Sequence, residues 1–270
     1  MKKLMVKTSL ITVISAFSLT AFAQENAASK PSSDNLAAEL FGSYEKVMEG
    51  FSASASLGYE SEYIFRGKAS AGHSFQPSVN IGYDMGHGFS VYGGFWNNTS
   101  LMKGQSASNE IDLSGGVKYS LDAFTFDAGY TYYWYPSSDS PSTNEMKFGI
   151  SYDASALLGD FNVTPSLYYY YDWDLHNNTV EASLSYYAPV SKWLFEKDIF
   201  GINTSVCYGY VGSYRNSYGY VSVISNLVLK LTDYASLSAG VRYAYHNDDD
   251  SSSDASNNKV WFGSAISFGF

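Results

Sequence analysis

From Phe51 to the end of the chain, apolar and polar residues alternate with a period of two. Successive side chains of a strand point to opposite sides, so this rhythm marks strands with one apolar and one polar face. In the first run Phe51, Ala53, Ala55, Leu57, Tyr59, Tyr63 and Phe65 share one face, and Ser52, Ser54, Ser56, Gly58, Glu60, Glu62 and Arg66 share the other. The rhythm recurs at Phe75-Val79-Ile81-Tyr83, Phe89-Val91-Phe95, Ile111-Leu113-Val117-Tyr119, Phe124-Phe126-Tyr130-Tyr132-Trp134 and Met146-Phe148-Ile150-Tyr152. It continues at Phe161-Val163-Leu167-Tyr169-Tyr171, Val180-Ala182-Leu184-Tyr186 and Ile202-Val206-Tyr208-Tyr210. Val221-Val223-Leu227-Leu229-Leu231, Leu237-Ala239-Val241-Tyr243-Tyr245 and Val260-Phe262-Ile266-Phe268-Phe270 complete twelve strands. Each is near the ~9–11 residues that a tilted strand needs to cross a bilayer.

The apolar faces carry no Asp, Glu, Lys or Arg. The opposite faces carry Glu60, Glu62, Arg66, Asp84, Glu110, Asp112, Lys118, Asp127, Glu145, Lys147, Glu181, Lys230 and Arg242. A soluble sandwich would also keep charge off its core face, so other features must decide. Aromatic residues gather at the ends of the apolar faces, as in interfacial girdles; the strand count is even, and the chain finishes on a strand ending in Phe270. An open sheet edge is not tolerated in hydrocarbon. The expected architecture is therefore all-β, a closed up-and-down antiparallel transmembrane β-barrel of about twelve strands over residues 51–270. With the N-terminus inside, the expected outer loops are 67–73, 97–109, 136–144, 172–178, 212–217 and 247–258. The expected inner turns are 84–88, 120–123, 153–160, 188–201 and 232–234, of which 188–201 fits either an interfacial turn or a short helix.

The N-terminus explains how such a chain would reach a membrane. Lys2, Lys3 and Lys7 precede an apolar stretch from Leu10 to Leu19, and Ala21-Phe22-Ala23 supplies a small-x-small cleavage pattern. Residues 1–23 read as a cleaved export signal, and with an outer-membrane barrel this implies a bacterial cell. Residues 24–50 form an extension in which Leu36, Leu40, Tyr44 and Val47 have helical spacing behind Asp34; a short helix and an unstructured leader both fit.

Composition sharpens the picture. Aromatics make up 17% of the 270 residues and charged residues 16%. The formal charge is −10, and losing the three signal lysines leaves 13 basic against 26 acidic residues, or −13. Without a basic field, nucleic acid is excluded as a partner. The single cysteine, Cys207, excludes an internal disulfide and a cysteine zinc cluster.

Ser61-Glu62-Tyr63-Ile64-Phe65-Arg66-Gly67, followed by Gln76-Pro77, Gly88-Phe89, Tyr92, Gly94 and Trp96-Asn97, resembles the TorF-type porins, a family of Gram-negative outer-membrane proteins. The motif match covers about residues 51–98. The resemblance implies a porin-like barrel and carries no binding residues with it. Read physically, Arg66 continues the luminal face near the outer rim and Gly67 begins the loop. Arg66 would form a structural ion pair with Glu60 or Glu62 on its own strand, or with a neighbour.

Catalytic and metal chemistry find little support. His73-Ser74 is the only adjacent Ser–His pair and lacks the Asn-Gly that follows it in outer-membrane phospholipases. His246 with Asp248 has the residue types of an outer-membrane protease, but sits in an acidic, serine-rich loop. Asp248, Asp249, Asp250 and Asp254 lack the glycine and terminal glutamate of a calcium loop, so a solvated cluster is the simpler reading. No catalytic residue, metal ligand or cofactor site is expected.

Three function classes follow. The first is an outer-membrane channel for passive diffusion of small hydrophilic solutes. Its lumen-lining residues would be Glu60, Glu62, Arg66, Glu110, Asp112, Lys118, Asp127, Glu145, Lys147, Glu181, Lys230 and Arg242. With Asp84 the lining has eight acidic and five basic groups, which predicts weak cation selectivity. The second is a closed structural or adhesion barrel acting through its outer loops, and the third an outer-membrane hydrolase. Tyr92, Trp96, Tyr133, Tyr135, Tyr168, Tyr170, Tyr187 and Trp261 also face the lumen, where they would constrict or plug it or stack against sugar or nucleoside rings. Expected partners are outer-membrane lipid, the solutes themselves and the barrel-assembly machinery.

Overall fold

The computed structural model describes residues 49–158, 162–213, 216–248 and 257–270. The expected signal segment 1–23, nearly all of the extension 24–50, and Asp249, Asp250 and Asp254 lie outside the described residues. Among the described residues fourteen strands form: β1 (Phe51–Glu60), β2 (Tyr63–Phe65), β3 (Lys68–Ala71), β4 (Ser74–Gly86), β5 (Phe89–Ser100), β6 (Glu110–Leu121) and β7 (Phe124–Trp134). β8 (Thr143–Tyr152), β9 (Asn162–Asp172), β10 (Asn177–Ala188), β11 (Phe200–Gly212), β12 (Tyr218–Lys230), β13 (Ala235–His246) and β14 (Asn258–Gly269) complete them.

Twelve of these strands close a barrel in sequence order, while β2 and β3 pair only with each other. Closure follows the expectation that the last strand lies beside the first: Glu60 pairs with Gly263 and Ser54 with Gly269. The other edge of β1 pairs with β4, with Phe51 opposite Tyr83 and Glu60 opposite Ser74. No wall edge is left open, which is the condition for strands in hydrocarbon. Alternation sets the two faces as expected. Leu57, Val79, Ile81, Leu113, Phe148 and Leu167 are exposed on the outside, and Glu60, Ser78, Glu145 and Ser166 are buried on the inside. The outside of every wall strand is free of charged side chains.

The end that carries both strand termini has the tighter connections. His87 and Gly88 take positive φ (56° and 83°) in the turn between β4 and β5, the backbone that a two-residue hairpin needs. Asp84 is exposed there, and its Oδ1 accepts the Gly86 N–H at 2.8 Å, so it caps this turn instead of lining the lumen. The two longer connections contain short helices, α1 (Ser155–Leu158) and α2 (Val190–Phe195). α2 settles 188–201 as a helix, with Trp193, Leu194 and Phe195 exposed. The buried Ser191 hydroxyl accepts the N–H groups of Ile199 (2.7 Å) and Phe200 (2.8 Å), which fixes the return into β11.

The opposite end departs from the sequence reading. The first strand was expected to run through Arg66, with 67–73 as an outer loop. It ends at Glu60, the chain bends at Ser61-Glu62, and β2 and β3 form a separate hairpin. Tyr63 is therefore not lipid-facing but 2% exposed, and Ile64 and Ala71 are buried with it. Period-two alternation cannot reveal this, because an inward-folded hairpin alternates like the wall strand that precedes it.

Candidate functional site: the barrel lumen

The hairpin lies across the interior at the loop end. Its turn puts Arg66 at φ 47° and Gly67 at φ 83°. A Cβ on Gly67 would stand 2.6 Å from Cβ of Tyr220, so only glycine fits where the tip meets β12. Arg66 reaches β8 on the far side of the ring. Its Nη1 lies 2.8 Å from Glu145 Oε2 and its Nη2 donates to Oε1 at 2.9 Å. Of the expected partners, Glu60 and Glu62 on its own strand or a neighbour, Arg66 takes neither of the two named: it pairs with Glu145 across the lumen, because the chain turns inward before reaching it. The Tyr133 hydroxyl donates to Glu145 Oε1 at 3.0 Å, and the Arg66 guanidinium lies 5.0 Å from the Tyr170 ring centroid.

Each end of the hairpin has its own anchor. The Tyr63 hydroxyl donates to Glu110 Oε2 at 2.8 Å. Burial first, and then the Glu110 and Asp112 carboxylates, push the Tyr63 phenol well above its ordinary range, so it stays a donor. Lys68 bonds the Asp248 carboxylate and lies 4.0 Å over the Tyr218 ring. At the base, Glu60 takes Arg242 Nε at 2.8 Å and Trp261 Nε1 at 2.9 Å, while Glu62 pairs with Lys259 at 3.4 Å.

A second knot lies deeper and involves only wall residues. Asp127 accepts the hydroxyls of Tyr92 (2.9 Å) and Tyr168 (3.4 Å) and pairs with Lys147 at 3.3 Å. Lys118 is buried 5.0 Å from the Tyr92 ring centroid. Glu181 accepts the Tyr220 hydroxyl. Lys230 belongs to neither knot; it sits at the turn end, paired with Asp198. Asp112 lies between Trp96 and Tyr133 across its two ladders, and its buried Oδ1 has no hydrogen-bond partner. Toward the turn end the inward positions become small and polar, with Ser166 bonded to Ser183 (2.6 Å) and Ser267 to Ser56 (3.1 Å).

The structure thus gathers Glu60, Arg66, Glu110, Asp112, Glu145 and Arg242 around the hairpin, and Lys118, Asp127, Lys147 and Glu181 below it. Sequence reasoning missed Lys68, Asp248, Lys259 and His246 as interior groups. The Arg66-Gly67 step was the available signal, since it can form a two-residue turn between short strands. His246, expected with Asp248 in an acidic, serine-rich loop, ends β13 and is fully buried, and its Nδ1 accepts the backbone N–H of Asp248 at 3.3 Å. The Asp248 carboxylate bonds Lys68 and Asn216. The Ser74 hydroxyl donates to the Gly72 carbonyl and His73 Nδ1 lies 2.6 Å from the Tyr59 hydroxyl, so these two neighbours do not form a Ser–His pair.

The family model described as "Bacterial protein of unknown function (Gcw_chp)" matches residues 45–186, more than half of the chain. The chain belongs to the Gcw_chp family. The matched region contains the hairpin, Glu110, Asp127, Glu145 and Glu181, whereas Arg242, His246, Asp248 and Trp261 lie beyond it. No match is found among curated protein sequences. Among solved structures the chain is similar to the NanC porin, at 13% identity and a TM-score of 0.50, over 80% of this chain and 98% of that one. It is also similar to a chain from work on the in-meso crystallization of membrane proteins, at 11% identity and a TM-score of 0.51, over 81% of this chain and 84% of that one. At such identities the likeness speaks to the fold: this Gcw_chp member is an outer-membrane-type β-barrel of twelve strands.

Proposed function

We infer that this chain is an outer-membrane porin-like channel of a Gram-negative bacterium, for passive diffusion of small hydrophilic solutes with a weak preference for cations. The observation that carries the reading is the division of faces: an apolar, uncharged exterior around an interior of serines, tyrosines and ionised groups. A polar interior enclosed by an apolar band is how a barrel holds water inside a membrane. The resemblance of residues 51–98 to TorF-type porins and the fold shared with the NanC porin support it. Outer-membrane lipid and the barrel-assembly machinery are the partners this reading requires, the second to close β14 onto β1. The hairpin favours the second reading, a closed barrel acting through its loops, because it occupies the loop end of the interior. Conductance in planar bilayers, measured for the whole protein and for a variant with residues 61–72 replaced by a short glycine-serine turn, tests both. The channel reading expects a low conductance that rises when the hairpin is removed. No conductance from either protein would overturn it in favour of the closed barrel.

A further inference from the structure

Arg66 sits in a cradle that the barrel wall builds without it. Glu145 presents both oxygens to the guanidinium, at 2.8 and 2.9 Å. The Tyr133 hydroxyl holds one of those oxygens from β7 at 3.0 Å, and Tyr170 offers its ring from β9 at 5.0 Å. These residues stand on three neighbouring strands, and ladder pairs such as Thr131 with Glu145 and Lys147 with Tyr170 fix their mutual placement. Hairpin residues supply only Arg66 and the Phe65 ring, 4.9 Å from the same guanidinium. A two-oxygen carboxylate beside an aromatic face fits a planar guanidinium and is poorly matched to a compact hydrated cation. One strand away, the buried Asp112 Oδ1 has no hydrogen-bond partner and lies opposite Tyr133 in the ladder.

The occupant is replaceable in a way that the cradle is not. β2 and β3 share three ladder pairs with each other and no ladder with the wall. Arg66 also takes a left-handed backbone, φ 47°, that L side chains rarely adopt. Strain of this kind persists only where surrounding contacts hold it, and here they are the Arg66 side chain in the cradle together with the Tyr63–Glu110 and Lys68–Asp248 anchors.

We propose that the Glu145–Tyr133–Tyr170 cradle is a binding site for guanidinium-bearing solutes, with Arg66 as its intramolecular occupant, and that a solute enters it by displacing the hairpin tip. Passage through the barrel rests on the channel reading above; binding in the cradle does not. Titration calorimetry of the full-length barrel in detergent, with guanidinium chloride or arginine amide at non-denaturing concentrations and sodium chloride as the ionic control, tests it. Arg66→Ala should bind either probe saturably, and the unaltered protein about tenfold or more weakly, because self-occupancy lowers the fraction of competent sites. Adding Glu145→Gln to Arg66→Ala should abolish the saturable heat. Should Arg66→Ala fail to fold, Arg66→Lys keeps a cation in the cradle but not the two-pronged match, and should bind more tightly than the unaltered protein. A binding heat absent from the Arg66 variants, or one indifferent to Glu145, overturns the proposal. Binding without bilayer conductance would sink the channel reading and leave the cradle standing; conductance without binding would do the reverse.

Discussion

The two halves of the lumen share strands, faces and alternation, yet they are built from different chemistry. On β1 the inward series runs Ser52, Ser54, Ser56, Gly58, Glu60 toward the loop end, and on β13 it runs Ser236, Ser238, Gly240, Arg242, Ala244, His246. On these two strands the turn-end half is serine and glycine and the loop-end half carries the charge, whereas on β5, β6 and β7 the knot of Tyr92, Lys118 and Asp127 reaches into the turn half. The difference shows where the interior is locked. Buried ions are costly to desolvate and persist only when paired, so the loop half must be an interlocked set. Serine hydroxyls carry no such constraint, and the turn half can stay wet. Room for the large side chains comes from the facing glycines. A Cβ on Gly149 would meet the Tyr168 ring at 2.1 Å, so this tyrosine lies flat against the wall only because glycine is there.

The most severe break in that contrast should come from Glu60→Ala. It leaves Arg242, 7% exposed, without its carboxylate and removes the acceptor of Trp261. Stranding one member of a buried pair costs about 3–5 kcal/mol. Ser56→Ala, on the same inward face, loses one hydroxyl contact to Ser267 and should cost about 0.5–1.5 kcal/mol. Denaturant unfolding in lipid vesicles would compare them, and equal losses would mean that the two halves are not different in kind.

Next in size is a test of inside against outside. Leu113 is 49% exposed on the outer face, and Ser114 points inward beside Gly94. Leu113→Arg should cost about 2–4 kcal/mol, as a cation does on the lipid face of such a barrel. Ser114→Arg should cost much less. The reverse ranking would place the wall one residue out of register.

How much of this was legible beforehand depends on the range of the interaction. The wall was readable because hydrocarbon and water act on every second residue, leaving the same imprint twelve times. The pairing of Glu60 with Arg242 and of Arg66 with Glu145 was not, since partners separated by 182 and 79 residues leave no local trace. Tyr63 and Phe65 kept the wall rhythm after the chain had left the wall, so the reading ran on past Glu60. Lys68 fell in a supposed loop for the same reason. Only Gly67, with φ 83°, marked the point of return.

That glycine offers the third test. Gly67→Ala places a methyl against Tyr220 in a left-handed turn, and strain of this sort costs about 1–3 kcal/mol. Because β2 and β3 share no ladder with the wall, the expected outcome is an undocked hairpin in an intact barrel. Faster amide exchange confined to residues 61–72 would show it. Uniform loss of protection around the ring would instead mean that the hairpin holds the wall together.

The smallest expected effect is ion selectivity, because the pairing that locks the loop half also cancels its charge. Alternation alone predicts eight carboxylates against five basic groups in the lumen, but the structure moves Asp84 to a turn and brings Lys68 and Lys259 inside. Glu60, Glu62, Asp127, Glu145 and Asp248 each have a Lys or Arg partner. Glu110 and Glu181 are held by tyrosine hydroxyls, and Asp112 keeps a buried oxygen without a partner. These three carboxylates have no Lys or Arg partner, and any preference for cations comes from those of them that ionise, while Lys118 beside Tyr92 opposes them. The reversal potential across a KCl gradient should therefore be small and cation-signed. It should shrink further in concentrated salt, as the Debye length falls from about 10 Å at 0.1 M to about 3 Å at 1 M. Glu181→Gln should reduce it, since this substitution removes a carboxylate held by a tyrosine hydroxyl rather than by a Lys or Arg. An anion-signed potential in the unaltered protein would mean that the path runs past Lys118 and Lys147 rather than past the carboxylates beside the hairpin.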